Sequence, residues 1–229
     1  MEALILAGGF GKRLRPITEE VPKPLVPIAG KPILGWQLEW LLENNVDSII
    51  AAVGYKKDQV IEYLKKSCKA LGLELNYVEE SKPLGTGGAL KNAESTVSGK
   101  AFYMVNGDII TNMPLDKLSL DGALASISLV PMRSPFGIVV AEHGKVLSFE
   151  EKPLLKDYMI NAGAYLLDRK IFDYAPQSGS IEKDVFEKLA PKALLNATKF
   201  YDIYWKSIDS IKDMEEASKE LLEKPLFWA

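Results

Sequence analysis

Apolar and polar positions along this chain follow two periods, and the order of those periods sketches its architecture. Short runs with strand character, EALILA, SIIAAV, ELNYVE and AFYMVNGD, are separated by stretches with helical apolar spacing: PILGWQLEWLLENN, KDQVIEYLKKSCKAL and TGGALKNAEST. Strands alternating with helices predict an α/β fold with a Rossmann-like, mixed but mainly parallel central sheet flanked by helices. Beyond Asp108 the texture changes: ASISLVP, GIVVAE, KVLSFEE and MINAGAYLLD are closely spaced strand candidates. They predict hairpins inserted into one continuous sheet. Helical patterns return at RKIFDYA and SIEKDVFEKLA, KFYDIYWKSID reads as strand, and SIKDMEEASKELLEK reads as a closing helix. With no repeat and no linker-like tract, residues 1–229 are expected to form a single unit with halves 1–110 and 111–229.

Between the first strand and the first long helix lies AGGFGKRLRPITEEVPKPLVPIAGKPI. Glycines after a strand let backbone amides approach a phosphate closely, and Gly8, Gly9 and Gly11 fit that use. Two familiar phosphate loops do not match. A Walker A loop needs a glycine at the position of Leu6 and a Ser or Thr at the position of Arg13. A dinucleotide fingerprint needs a helix to open at the loop, which Pro16, Pro22, Pro24 and Pro27 prevent. What remains is a proline-stiffened loop presenting Arg13, Arg15 and Lys23, arranged to suit a polyphosphate.

Composition narrows the chemistry. The 28 Lys+Arg residues against 31 Asp+Glu leave a net charge of -3, so no global field recruits nucleic acid or an anionic membrane. No apolar run nears the roughly 20 residues of a membrane helix, and Met1–Leu6 enters a strand pattern directly; both predict a cytoplasmic protein. One cysteine, Cys68, and one histidine, His143, exclude an internal disulfide, a Cys/His zinc site and a Cys/His catalytic pair. Carboxylates, Lys, Arg and backbone amides are left to do any chemistry.

The segments GGFGKRLRPIT and PKPLVPIAGKPI resemble the signature of the sugar-1-phosphate nucleotidyltransferases, GGxGTRLxPxT followed by PKP. EESKPLGTGGAL is similar to that family's base-binding segment, VNGD to its metal segment, FGIV and FEEKP to its sugar and phosphate contacts, and INAGAYLL to its sugar-hydroxyl segment. These stretches keep the family order nearly from end to end. The resemblance implies a GT-A-like nucleotidyltransferase fold, nucleotide binding in 1–110 and sugar-phosphate binding in 111–229. It implies Mg²⁺ as cofactor, an NTP and a sugar 1-phosphate as partners, and no nucleic-acid or membrane partner; it leaves a homo-oligomer open. The reaction implied is in-line attack of an anionic sugar-phosphate oxygen on the α-phosphorus, which needs no general base, only alignment and cations.

Carried over position by position, the resemblance places the nucleotide on Leu6, Ala7, Gly8, Gly9, Gly11, Lys12, Glu80, Gly85 and Thr86. Arg13 would hold the leaving pyrophosphate, Lys23 the α-phosphate and the attacking oxygen, and Asp108 the metal. Lys152 would hold the sugar phosphate, with Glu151, Asn161, Gly137, Gly163 and Asp108 around the sugar. Two departures stand out. Lys12 replaces the signature Thr, and Ser207 falls where a second metal-binding Asp is common. WKSIDSIKD is similar to the variant of glucose-1-phosphate cytidylyltransferases in which that Asp lies two residues later. On a strand, positions two apart share a face, so Asp209 is expected as the second ligand.

By the same resemblance, Glu80 falls at the position that contacts the base edge. A carboxylate only accepts hydrogen bonds, and guanine offers two adjacent donors, so GTP is the expected donor. PLGTGGAL resembles mannose- and heptose-1-phosphate guanylyltransferases, which points to mannose- or heptose-type acceptors. WKSIDS favours a cytidylyltransferase instead, and the chain also resembles uridylyl- and thymidylyltransferases acting on glucose 1-phosphate or N-acetylmuramate 1-phosphate. A non-catalytic sugar-nucleotide-binding subunit is the rival suggested by Ser207. A GT-A glycosyltransferase is disfavoured because no DxD occurs.

Overall fold

The computed structural model describes residues 1–224. Its strands are β1 (Glu2–Ala7), β2 (Pro27–Ile28), β3 (Lys31–Pro32), β4 (Ser48–Val53), β5 (Glu74–Glu79), β6 (Ala101–Asn106), β7 (Ile109–Thr111), β8 (Ala125–Arg133), β9 (Ile138–Glu142), β10 (Lys145–Glu150), β11 (Leu154–Asp168), β12 (Leu195–Lys199) and β13 (Trp205–Ser207). Its helices are α1 (Ile17–Glu20), α2 (Ile33–Glu43), α3 (Lys57–Leu71), α4 (Gly85–Asn92), α5 (Glu187–Leu189) and α6 (Ile211–Glu223). Seven strands form one sheet in the order β12-β8-β11-β6-β1-β4-β5. Only β11 runs against its two neighbours; the other pairings are parallel. The mainly parallel α/β reading therefore holds.

β4 is buried at every position, which is why SIIAAV is a continuous apolar run instead of an alternation. Alternation decides which layer each side chain joins. Ala3, Ile5 and Ala7 of β1 pack with α2 and α3, whereas Leu4 faces the layer of Ala89 and Leu90 on α4. In α3 the buried residues Val60, Ile61, Leu64 and Cys68 form one stripe, and Gly72 ends the helix with φ 71°. Burial pushes the Cys68 thiol up to about 11, as suits an inert core cysteine. A third apolar cluster matters most for function. Leu14, Val26 and Ile28 of the basic loop pack against Ile110, Ile208, Ala217 and Leu221, fastening the loop to α6.

Several expectations need correction. β9 and β10 pair only with each other, outside the central sheet. Their alternating pattern signals strands but carries no information about which sheet they join. The stretch RKIFDYA makes a 3₁₀ turn at Arg169–Asp173, and SIEKDVFEKLA makes a π-turn at Glu182–Phe186 before the short α5. KFYDIYWKSID is not one strand: β12 ends at Lys199, β13 begins at Trp205, and Asp209 lies beyond it in the turn before α6. His143 sits exposed in the β9–β10 turn with φ 49°.

Candidate active site

At the carboxyl ends of β1 and β6, where open α/β sheets hold their ligands, the fold leaves a cleft of about 400 Å³. It is lined by Leu6, Ala7, Gly8, Gly9, Gly11, Lys12, Arg13, Lys23, Glu80, Gly85, Thr86, Asp108 and Asp209. Every residue expected to hold the nucleotide or the metal is thus on one surface, though these residues are spread over most of the chain.

The polar end of the cleft is an ion cluster. Lys23 Nζ donates to Asp108 Oδ2 at 2.7 Å and to Asp209 Oδ1 at 3.0 Å, and Arg13 Nη2 donates to the same Asp209 oxygen at 2.7 Å. The Lys23 side chain is only 13% exposed, whereas that of Arg13 is 74% exposed. Lys23 is therefore built into the fold, and the Arg13 pair is a screened surface contact of little stabilising value. Burial raises the Asp209 carboxyl, but the Ser207 hydroxyl, the Lys23 ammonium and the Arg13 guanidinium outweigh it and hold the group below its ordinary range.

Asp209 reaches this cluster by a route other than strand alternation. β13 pairs antiparallel with β7, setting Ser207 opposite Ile109, and Ile208 N donates to Asp108 O at 2.8 Å. The chain then turns into α6, whose N-cap Ser210 forms a capping box with Asp213. Asp213 Oδ2 also accepts from Asp209 N at 3.1 Å. Ser207 Oγ donates to Asp209 Oδ2 at 2.7 Å, so the serine at the family's usual Asp position supports the carboxylate expected in its stead.

The donor chemistry fits a hard divalent cation. Two carboxylates already converge on one positive charge, that of Lys23. Among the described residues no group of three or more His, Cys, Asp or Glu could hold a metal alone. Two carboxylates completed by substrate phosphates are the usual Mg²⁺ arrangement.

At the other end, Glu80 is half-buried and packs over Gly8: a β-carbon there would stand 3.0 Å from Glu80 Oε1. Glu80 Oε2 accepts from Leu84 N at 3.3 Å. Burial raises the carboxyl, with the Leu84 amide opposing the shift only in part. Of the three loop glycines only Gly11 adopts positive φ, 60°, and its carbonyl accepts from the buried Thr18 hydroxyl at 2.9 Å. Thr86 Oγ1 donates to Glu182 Oε2 at 2.9 Å and accepts from Ile181 N at 2.9 Å, tying α4 to the π-turn. Lys12 is exposed at the mouth, 5.7 Å from the Phe10 ring, which in turn lies 5.1 Å from the Tyr55 ring.

The expected sugar-phosphate residues are placed differently. Gly137, Glu151, Lys152, Asn161 and Gly163 do not line the cleft. Gly163 packs against Asn106, which does line it, and Asn161 accepts from Gly163 N at 3.0 Å and donates to Tyr165 Oη at 2.9 Å. Glu151 and Lys152, at the foot of the exposed hairpin, pair with each other at 3.7 Å and stay largely in solvent. Thr18 and Asn106 were given no role from the sequence, although both stand in quoted motifs: Thr18 closes GGFGKRLRPIT, and Asn106 stands in VNGD near the residue that drew attention.

A family model described as "Nucleotidyl transferase" matches residues 2–224. The chain is 39% identical over 211 residues to the D-glycero-alpha-D-manno-heptose 1-phosphate guanylyltransferase of Campylobacter jejuni, covering 89% of this chain and 94% of that one. It is 36% identical over 224 residues to the mannose-1-phosphate guanylyltransferase catalytic subunit beta of Dictyostelium discoideum, covering 93% of this chain but only 62% of that one. The crystal structure of HddC from Yersinia pseudotuberculosis complexed with GMP-PN superposes with a TM-score of 0.76 at 32% identity, over 96% of this chain and 99% of that one.

Proposed function

Because the chain belongs to the nucleotidyl transferase family, we propose that it transfers a nucleotidyl group from an NTP, with GTP preferred, to a mannose- or heptose-type sugar 1-phosphate. The observation that carries this reading is the convergence of Lys23 and Arg13 with Asp108 and Asp209 at one end of a cleft whose other end holds Glu80. The guanylyltransferase relatives support the choice of base and sugar.

The triphosphate lies along the Gly8–Gly11 backbone, and the guanine edge donates N1–H and its amino group to Glu80. Asp108 and Asp209 would hold Mg²⁺, which when bound would supply positive charge to offset the negative charge that develops on the phosphates. Lys23 exchanges its carboxylate partners for phosphate oxygens, drawing the α-phosphate toward the acceptor. Arg13 turns from Asp209 to the leaving pyrophosphate. An oxygen of the sugar 1-phosphate, held by Lys152, bonds to the α-phosphorus as the bond to the bridging β-oxygen breaks. That oxygen is already anionic, so no protein group moves a proton. Glu151, Asn161 and the Gly137 and Gly163 backbone orient the sugar. Residues 1–110 thus serve mainly the nucleotide and 111–229 mainly the acceptor, with Asp209 crossing that division. The cytoplasm is where such a reaction finds its substrates; among the described residues no helix is long and apolar enough to cross a membrane.

The test is a pyrophosphate-release screen crossing GTP, UTP, dTTP, CTP and ATP with mannose, heptose, glucose and N-acetylmuramate 1-phosphates. GTP with mannose or heptose 1-phosphate is expected to be fastest. Faster release with another base would remove the guanine reading, and no release with any pair would favour a binding subunit.

A further inference from the structure

The buried side of α2 is apolar except at Gln37, which is 1% exposed. A buried amide has to be accounted for by its hydrogen bonds. Both of its donors go to one turn: Gln37 Nε2 donates to Asn106 O at 2.7 Å and to Ile109 O at 3.0 Å. Those carbonyls bracket Gly107 and Asp108. Gln37 Oε1 has no partner among the described residues. An apolar side chain would avoid that orphan, so the amide serves through its donors.

The rest of the turn is fixed as well. Gly107 N donates to Leu6 O at 3.1 Å, and Asp108 O accepts from Ile208 N at 2.8 Å. Farther along the same stripe of α2, Trp40 Nε1 donates to Met113 O at 2.7 Å and Asn44 Oδ1 accepts from Leu115 N at 2.6 Å. Gln37 and Trp40 on α2 and Asn44 at its C-cap recur at helical spacing and hold the chain from Asn106 to Leu115 against one helix.

We propose that Gln37 is a positioning residue for the metal–triphosphate end of the cleft. It lies outside the lining and acts through the Asn106–Ile109 turn, setting the direction in which Asp108 meets Asp209. The inference rests on reading those two carboxylates as metal ligands. Methionine at 37 keeps the length of the side chain but gives up both donors, freeing the turn to pivot. Partners that orient ligating groups typically cost roughly 10–100-fold in metal affinity when removed.

The test compares the parent with Gln37→Met, with Gln37→His, which keeps one ring donor, and with Leu41→Ala, a core truncation on the same helix. Mn²⁺ affinity in the presence of GTP is read by electron paramagnetic resonance, beside the metal midpoint for pyrophosphate release and the thermal midpoint. Gln37→Met is expected to weaken Mn²⁺ about tenfold or more and to move the metal midpoint equally, with Gln37→His between it and the parent. Leu41→Ala should lower the thermal midpoint yet leave Mn²⁺ affinity within about threefold. Unchanged Mn²⁺ affinity in Gln37→Met, or equal weakening in Leu41→Ala, overturns the proposal. If Gln37→Met does not fold, the same two readings on Gln37→His decide. A parent that binds Mn²⁺ with GTP but releases no pyrophosphate removes the transferase reading alone; a parent that binds none removes the metal role of Asp108 and that of Gln37 with it.

Discussion

At the proposed triphosphate end of the cleft, Arg13, Lys23, Asp108 and Asp209 are joined by hydrogen bonds of 2.7 to 3.0 Å and rest on an apolar cluster beneath the loop. At the proposed acceptor site, outside the cleft lining, Glu151 and Lys152 hang below a hairpin that is exposed from Ile138 to Glu150. One end is anchored by an apolar cluster shared with α2, β7 and α6, and the other rides on a two-stranded ribbon that is marginal by itself. The contrast suits the proposed reaction: a cation such as Lys23 that draws two mutually repelling anions together would gain from being fixed beforehand, whereas groups that only admit and orient a sugar could settle around it.

The largest expected effect breaks the anchored end. Lys23→Ala should lower kcat/KM at least about 10²-fold, roughly 3 kcal/mol of transition-state stabilisation, and Arg13→Ala should do so to a similar extent. Steady-state kinetics within threefold of the parent would remove the phosphate role. Asp209→Asn should lose most activity and demand more Mg²⁺ while still binding nucleotide weakly.

Lys152→Ala should act on the acceptor end alone. The KM for sugar 1-phosphate is expected to rise about tenfold or more, the scale of a lost charge-assisted hydrogen bond, with the dissociation constant of GTP unchanged by calorimetry. A parallel loss of GTP affinity would show that the two ends are not independent.

Glu80→Gln should shift the GTP-to-UTP ratio of kcat/KM toward UTP by roughly 1–3 kcal/mol, as a mismatched polar contact does. pH sharpens the same point. Because burial raises Glu80, it takes up its proton at a higher pH than an ordinary carboxylate, so guanine preference should fade early on acidification and Glu80→Gln should abolish that dependence. Asp209 has the opposite sign. Its lowered pKa contributes stability that is fully present above the unfolded value of about 3.9 and is lost as pH falls through the folded value. Ser207→Ala, the smallest change, should cost under about threefold, seen as a slightly less acid-resistant thermal midpoint.

Much of the anchored end was legible because its residues occur in short contiguous motifs: the strand, the glycine loop, PKP and VNGD each announce themselves locally. Periodicity likewise located α3 and β4, where burial matches pattern. Asp209 does reach the ion cluster, but not by the strand alternation expected: it leaves a strand end and is aimed by the Ser210–Asp213 cap. The hairpin's separation from the central sheet was not legible, because two-residue alternation is the same in both settings. Gln37 went unremarked although its polar side chain interrupts the Leu34, Leu38, Leu41 stripe; its partners are backbone carbonyls, which no sequence displays.

The most direct measurement follows label from GTP in the presence of mannose or heptose 1-phosphate and Mg²⁺. With GTP labelled at the α-phosphorus, the label should appear in a sugar nucleotide, and with GTP labelled at the γ-phosphorus, in pyrophosphate, both at rates that Asp209→Asn lowers to a small remainder. Label from the γ-position appearing in inorganic phosphate, with the α-label left in GDP, would contradict attack at the α-phosphorus.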